Sequence, residues 1–144
     1  MLILACDHAG VGIKNAVKSY LTQNGIEFTD CGTETTDAVD YPVYAKKALD
    51  LMQDKENDIV LLFCGTGLGM MLCANRVPGV RAVCASDAFS VEHSRSHNNA
   101  NVLCLGGRVI DEEKAVELVK IFLYTKFDGD RHAKRLKQIE ELFS

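Results

Sequence analysis

A cysteine heads the run whose residue types and spacing point most directly to chemistry, Cys64-Gly65-Thr66-Gly67-Leu68-Gly69. Before it lies an apolar segment, Ile59 to Phe63, of the length and branched-residue content of a buried strand. After it, Met70 to Asn75 can be helical. A strand, a Gly-rich turn and a helix start would point several backbone N–H groups into one small space. Such a space favours an anion, because unpaired amides and the helix dipole act there together. A thiol at its rim loses a proton more readily than a free cysteine. The run therefore offers a nucleophile or base beside an anion hole. The competing reading is a core strand whose following glycines serve helix–strand packing alone.

Familiar phosphate loops do not fit the run. Its Gly-x-Gly-x-Gly spacing is not the dinucleotide fingerprint, and no acidic residue closes a following strand to complete one. No Lys-Ser/Thr follows, as a nucleoside-triphosphate loop requires, and no Arg stands six residues after Cys64, as a Cys-x5-Arg phosphatase loop requires.

Other candidates lie far away in sequence. Asp7 and His8 directly follow the apolar run Leu2 to Cys6. Arg131 and Arg135 are four apart near the C-terminus, so on a helix both guanidinium groups share a face and could grip one phosphate. A solvated basic face is the plainer alternative. Arg108 is a further candidate for the same anion. His93 and His97 have the spacing of two imidazoles on one metal. Ser94 stands where a zinc-protease helix carries Glu, however, and two separate imidazoles are the preferred reading. The polar run His97-Asn98-Asn99-Ala100-Asn101 suits substrate hydroxyls. A thiol at an anion hole, an Asp-His pair, another His and several arginines together suit proton transfer next to a carbonyl, on a substrate anchored by phosphate.

The elements that must position these groups follow from periodicity. Leu2–Cys6 predicts a first strand, and the spacing of Ile13, Ala16, Val17, Tyr20 and Leu21 predicts a helix over 11–24 stopped by Gly25. Residues 26–29 read as a short second strand and 30–40 as a polar loop. Tyr41-Pro42 opens the next helix, and the Cys64 strand follows it. Residues 81–85 predict strand four, with Ser86-Asp87 capping a short helix that reaches His97. Residues 102–105 predict strand five, Asp111 caps a well-patterned helix, and Gly129 sets off a last helix over 131–143. Five strands alternating with helices predict a Rossmann-like, three-layer α/β/α sandwich with a five-stranded parallel sheet and an extra C-terminal helix. Asp7, His8, Cys64 and Gly106 all follow strands, which places them along one edge of that sheet, where such folds bind ligands.

The 144 residues predict one domain, 1–144, with a real core. Hydrophobic residues at 47% and charged residues at 25% are ordinary for a soluble chain, and a net charge of −4 argues against a nucleic-acid partner. No apolar run approaches a membrane span. The six cysteines form no Cys-x-x-Cys pair and mostly sit in apolar runs, which reads as buried small hydrophobes in a reducing cytoplasm. The first strand begins at Met1 without a signal-peptide pattern, which again predicts the cytoplasm.

The motifs CDHAG at 6–10, DYP at 40–42, CGTGLG at 64–69, SRSHNNANVLCLGGR at 94–108 and GDRHAKR at 129–135 together span essentially the whole chain. In these the sequence resembles the B-type ribose-5-phosphate isomerases, within a wider group that includes allose-6-phosphate and galactose-6-phosphate isomerases. The resemblance implies an aldose–ketose isomerase working through an enediolate with no metal or other cofactor. Cys64 would be the base that takes the proton from C2. The family uses Cys or Glu for this, in somewhat different positions, and this chain shows the Cys form. Thr66 and the amides of the turn carrying Gly65, Gly67 and Gly69 would stabilise the oxyanion. Asp7 and His97 would open the furanose ring. His8, Arg131 and Arg135, with Arg108 in support, would hold the phosphate, and Tyr41 and Asn98 would meet sugar hydroxyls. The resemblance also implies a homodimer or tetramer with the site at a subunit interface, where His97 and Arg108 serve the neighbour's Cys64. A hexose 6-phosphate as substrate, a metal enzyme built on His93 and His97, and a non-catalytic phosphosugar-binding module are the alternatives.

Overall fold

A computed structural model describes all 144 residues. Five strands, Leu2–Cys6 (β1), Thr29–Asp30 (β2), Ile59–Cys64 (β3), Ala82–Cys84 (β4) and Val102–Gly106 (β5), form one parallel sheet in the order β2-β1-β3-β5-β4. Between them run helices Val11–Gln23 (α1), Tyr41–Asp50 (α2), Leu68–Ala74 (α3), Ala88–Ser96 (α4) and Glu112–Tyr124 (α5), and Arg131–Phe143 (α6) follows last. This is the expected α/β/α sandwich with its extra C-terminal helix.

The central strands are apolar without interruption because both faces of the sheet are covered. Leu4, Cys6, Leu61, Phe63, Leu103 and Leu105 point to one side, where α1, α4 and α5 pack on them through Val17, Val91, Leu118 and Phe122. Ile3, Ala5, Val60, Leu62, Cys64 and Cys104 point to the other, against α2 and α3 with Ala45, Leu49 and Met70. Each fully buried Leu, Ile or Phe contributes roughly 1.5–3 kcal/mol over its exposed state. Helix starts follow the sequence closely: Asp87 accepts from the Ser90 amide at 2.8 Å and Asp111 from the Lys114 amide at 2.8 Å.

Three boundaries differ from expectation. The second strand is Thr29–Asp30 and not 26–29, so Asp30 belongs to the sheet and not to the loop. Ile26 and Phe28 still pack on the core, but pairing is set by charge further along. The buried Lys14 ammonium donates to both Asp30 oxygens at 2.8 Å and to the Thr33 carbonyl at 2.9 Å, and Lys18 reaches Asp30 at 2.8 Å. Removing one partner of such a buried pair costs about 3–5 kcal/mol, which outweighs the weak strand preference of residues 26–28. Strand four is shorter than 81–85, because the Arg81 amide donates to the Asn101 side chain at 2.7 Å and leaves the ladder. Helix α3 starts at Leu68, two residues before the expected Met70.

The strand order defines a crevice. After β1 the chain passes into α1 on one face, and after β3 into α3 on the other. β1 and β3 are neighbours with Cys6 opposite Phe63, so the two connections part just outside their carboxyl ends. Open parallel sheets bind ligands at such a switch point.

Candidate active site

Cys64 is the last residue of β3 and lies opposite Gly106 of β5, with Asp7 on the adjoining strand end. It is 4% exposed, and its Sγ accepts the Gly67 amide at 3.1 Å. That donor fixes where the sulfur sits, at the start of the Gly-rich turn. The chain reverses at Gly67, whose φ of +83° is left-handed, and a Cβ there would lie 2.7 Å from the Cys84 Sγ. Gly67→Ala is therefore expected to combine backbone strand-to-helix strain with a collision, costing about 1–3 kcal/mol and lowering activity by misplacing the amide that Cys64 uses. Thermal unfolding and steady-state kinetics on the same preparation would check both.

The turn leaves the amides of Gly65, Thr66 and Gly69 with no partner in the chain, while the Leu68 amide donates to the Thr66 Oγ1 at 3.3 Å. Because that hydroxyl oxygen accepts from Leu68, its proton is free to donate outward. The sulfur is buried, whereas the turn that carries these donors is half-buried at Gly65 and Gly69 and exposed at Thr66. Asp7 is 5% exposed; its Oδ1 accepts the Ala9 amide at 2.9 Å, and its second oxygen has no partner in the chain. The His8 Nδ1 accepts the Val39 amide at 3.2 Å. Tyr41 packs its ring against the bare Cα of Gly69, where a Cβ would come within 2.5 Å of it. Arg108 donates its amide to the Gly65 carbonyl at 3.0 Å and lays its guanidinium over Gly65.

Cys64 is the one sulfur so placed. Burial pushes the Cys6 thiol up to about 11 and raises those of Cys31, Cys73, Cys84 and Cys104. For Cys73 and Cys84 a negative charge on Cys64 adds to the burial. All six cysteines are free, and these five are poor nucleophiles at neutral pH.

The remaining site candidates do not join this group. His97 follows α4 and stacks on His132 of α6, ring centres 4.0 Å apart and planes 14° apart. The Asp128 amide donates to the Ser96 carbonyl at 2.9 Å and ties the start of α6 to this corner. Helix α6 faces Glu56, Arg81 and Asn99, residues that precede β3, β4 and β5. His97, Asn98, Arg131 and Arg135 thus lie toward the amino edge of the sheet. The five residues of β5 alone put roughly 13 Å between that edge and Cys64, at the usual rise of a strand. Arg108, expected to act beside His97, lies instead with the Cys64 group, because it follows β5 directly.

Two residues gain a place that sequence did not assign them. His132 sits between the two arginines in sequence and stacks on His97; its pKa is lowered by desolvation, then by His97, Arg131 and Arg135. Val39 acts through its amide, for which no side-chain signature exists. A ring nitrogen of His97, one of His132 and a carboxylate oxygen of Asp128 come within 4.8 Å of one another. The near-parallel rings send their in-plane lone pairs side by side and not onto one ion. His93 meets His97 edge-on at 4.7 Å and donates its Nδ1–H to the Phe89 carbonyl, so the alternative of a two-histidine metal pair gains no converging geometry.

Comparison with known proteins gives concordant results. Residues 2–139 match the family described as Ribose/Galactose Isomerase. Ribose-5-phosphate isomerase B of Escherichia coli is 37% identical over 138 residues, covering 96% of this chain and 93% of that protein. A solved ribose 5-phosphate isomerase from Thermotoga maritima superposes with a TM-score of 0.92 at 46% identity, covering 97% of each chain. Ribose-5-phosphate isomerase B from Mycoplasma genitalium, solved with bound ribulose-5-phosphate, gives 0.91 at 34% identity, covering 99% of this chain and 97% of that one. No helix is long and apolar enough to cross a membrane.

Proposed function

The chain belongs to the ribose/galactose isomerase family and is a sugar-phosphate isomerase; we propose that it interconverts ribose 5-phosphate and ribulose 5-phosphate through a metal-free enediolate. The observation that carries this reading is the Cys64 sulfur beside unpaired amides at the β1–β3 crevice. In the proposed reaction the Cys64 thiolate removes the C2 proton, and a proton returns at C1. Negative charge grows on the carbonyl oxygen, where the Thr66 hydroxyl and the Gly65–Gly69 amides donate to it. Each well-placed donor of this kind is worth about 2.7–4 kcal/mol in the transition state. Asp7 and His97 open the furanose, one accepting and one donating a proton. His8, Arg131, Arg135 and Arg108 grip the phosphate, and Tyr41 and Asn98 orient hydroxyls.

One chain cannot bring Cys64 and His97 to the same sugar. We therefore propose a homodimer, or a tetramer of such pairs, in which the amino-edge group of one subunit faces the carboxyl-edge group of the other. Leu68, Leu72 and Val109, each more than half exposed near the carboxyl edge, supply apolar surface for that contact. Arg131 and Arg135 are exposed and make no ion pair in the chain, as befits groups waiting for an anion.

The test is deuterium exchange at C2 in heavy water with EDTA present, run on ribose 5-phosphate, allose 6-phosphate and galactose 6-phosphate. Exchange with ketose formation from ribose 5-phosphate is expected. The hexose phosphates differ by one carbon, worth only about 1–3 kcal/mol in a pocket, so slower turnover of them is also expected. No exchange on any sugar by folded protein would overturn the reading in favour of a binding module or, if zinc or manganese restores it, a metal enzyme. Arg135→Ala is expected to raise KM about ten-fold with kcat little changed. The reverse pattern would place Arg135 at the reacting carbons.

A further inference from the structure

We infer that residues Val39 to Tyr41 form a strap that presets the site, holding His8 as its Nε2–H tautomer at one end and seating Tyr41 on the oxyanion turn at the other. An amide N–H can only donate, so the His8 Nδ1 that accepts it at 3.2 Å carries no proton. A neutral imidazole then bears its proton on Nε2. The two tautomers are not equivalent toward an anion. With the proton on Nε2, that nitrogen donates to a phosphate oxygen; with the proton on Nδ1, it would present a lone pair to the same oxygen. The Val39 amide therefore decides whether His8 attracts or repels the phosphate before any substrate arrives.

Two residues further on, the Tyr41 ring lies on the Gly69 Cα, and Asp40 between them is extended at φ −89°, ψ 117° as the chain enters α2. His8 belongs to the turn after β1 and Gly69 to the helix after β3. The strap thus touches both walls of the crevice. Residues 34–38 leading to it are exposed, whereas Val39 is half-buried, so the loop packs back toward the site where the strap begins. The strap's effect on catalysis rests on the reading of His8 as a phosphate ligand; the tautomer itself does not.

The experiment is nitrogen-15 NMR of the ligand-free protein labelled at histidine, at a pH where His8 is neutral. The expected His8 spectrum has an unprotonated Nδ1 and a protonated Nε2. Val39→Pro deletes the donor, and is expected to return His8 to a mixture of tautomers and raise KM for ribose 5-phosphate about ten-fold with kcat within twofold. A protonated Nδ1 in the unmodified protein overturns the proposal, as does a Val39→Pro protein whose His8 tautomer and KM stay unchanged. If that variant fails to fold, the spectrum of the unmodified protein decides. If His8 shows the expected tautomer but neither protein turns over any phosphosugar, the strap stands and the isomerase assignment falls.

Discussion

Cys64→Ala is expected to lower isomerisation by about a thousand-fold or more, the usual worth of a positioned base, while binding of an unreactive phosphosugar changes by less than about threefold. In the proposed reaction the sulfur meets the reacting carbons, whereas the groups proposed to grip the phosphate, His8 and Arg108, stand on other strand ends and Arg131 and Arg135 on α6. Losing the sulfur leaves the buried Gly67 amide without its acceptor, a cost borne by the turn itself. Cys64→Ser separates packing from chemistry: it keeps the shape and the acceptor for Gly67 but supplies a far weaker base. A comparable loss in both variants, with calorimetric affinity retained, is the expected result. Turnover near the normal rate in either would remove Cys64 from its role.

The second large effect concerns the two ends of the sheet. Cys64→Ala and His97→Ala proteins are each expected to be nearly inactive alone. If the site is shared between subunits, a mixed dimer carries one doubly defective site and one site with both Cys64 and His97 intact. Random reassortment of equal amounts, by unfolding and refolding together, should then recover about one quarter of normal activity, because half the dimers are mixed and each has one working site. No recovery, with mixed dimers demonstrated by mass, would mean that a single subunit supplies both residues and that the amino-edge group must move. The readout contrasts activities, so modest destabilisation of either variant does not obscure it.

Much of this was legible in the sequence, and the reasons differ by element. The strands around Leu61 and Leu103 announce themselves because doubly covered strands must be apolar throughout, and Asp87 and Asp111 mark helix starts by a local rule that needs no tertiary contact. The convergence of Asp7 and Cys64 follows from parallel strands sharing one carboxyl edge. Strand two did not follow its apolar residues, because Lys14, a residue on α1, pulls Asp30 into register from outside the segment. The separation of His97 from Cys64 was carried by the family resemblance alone; no periodicity reports which edge a helix ends at until the strand order is known. Arg108 was assigned to the neighbour's site by the resemblance, although its place two residues after Gly106, the end of β5, already puts it on the Cys64 edge. The role of Val39 lies in a backbone amide, to which composition and spacing are blind.

The distribution of functional groups over opposite ends of one chain also bears on inheritance. After a gene duplication, one copy could lose Cys64 and its surroundings and the other could lose His97 and its arginines, each by neutral drift. If the site is shared between subunits as proposed, a pair of such copies would still build one working site for every two chains. From then on neither gene could be deleted, and selection on substrate choice could act on the two halves of a pocket independently.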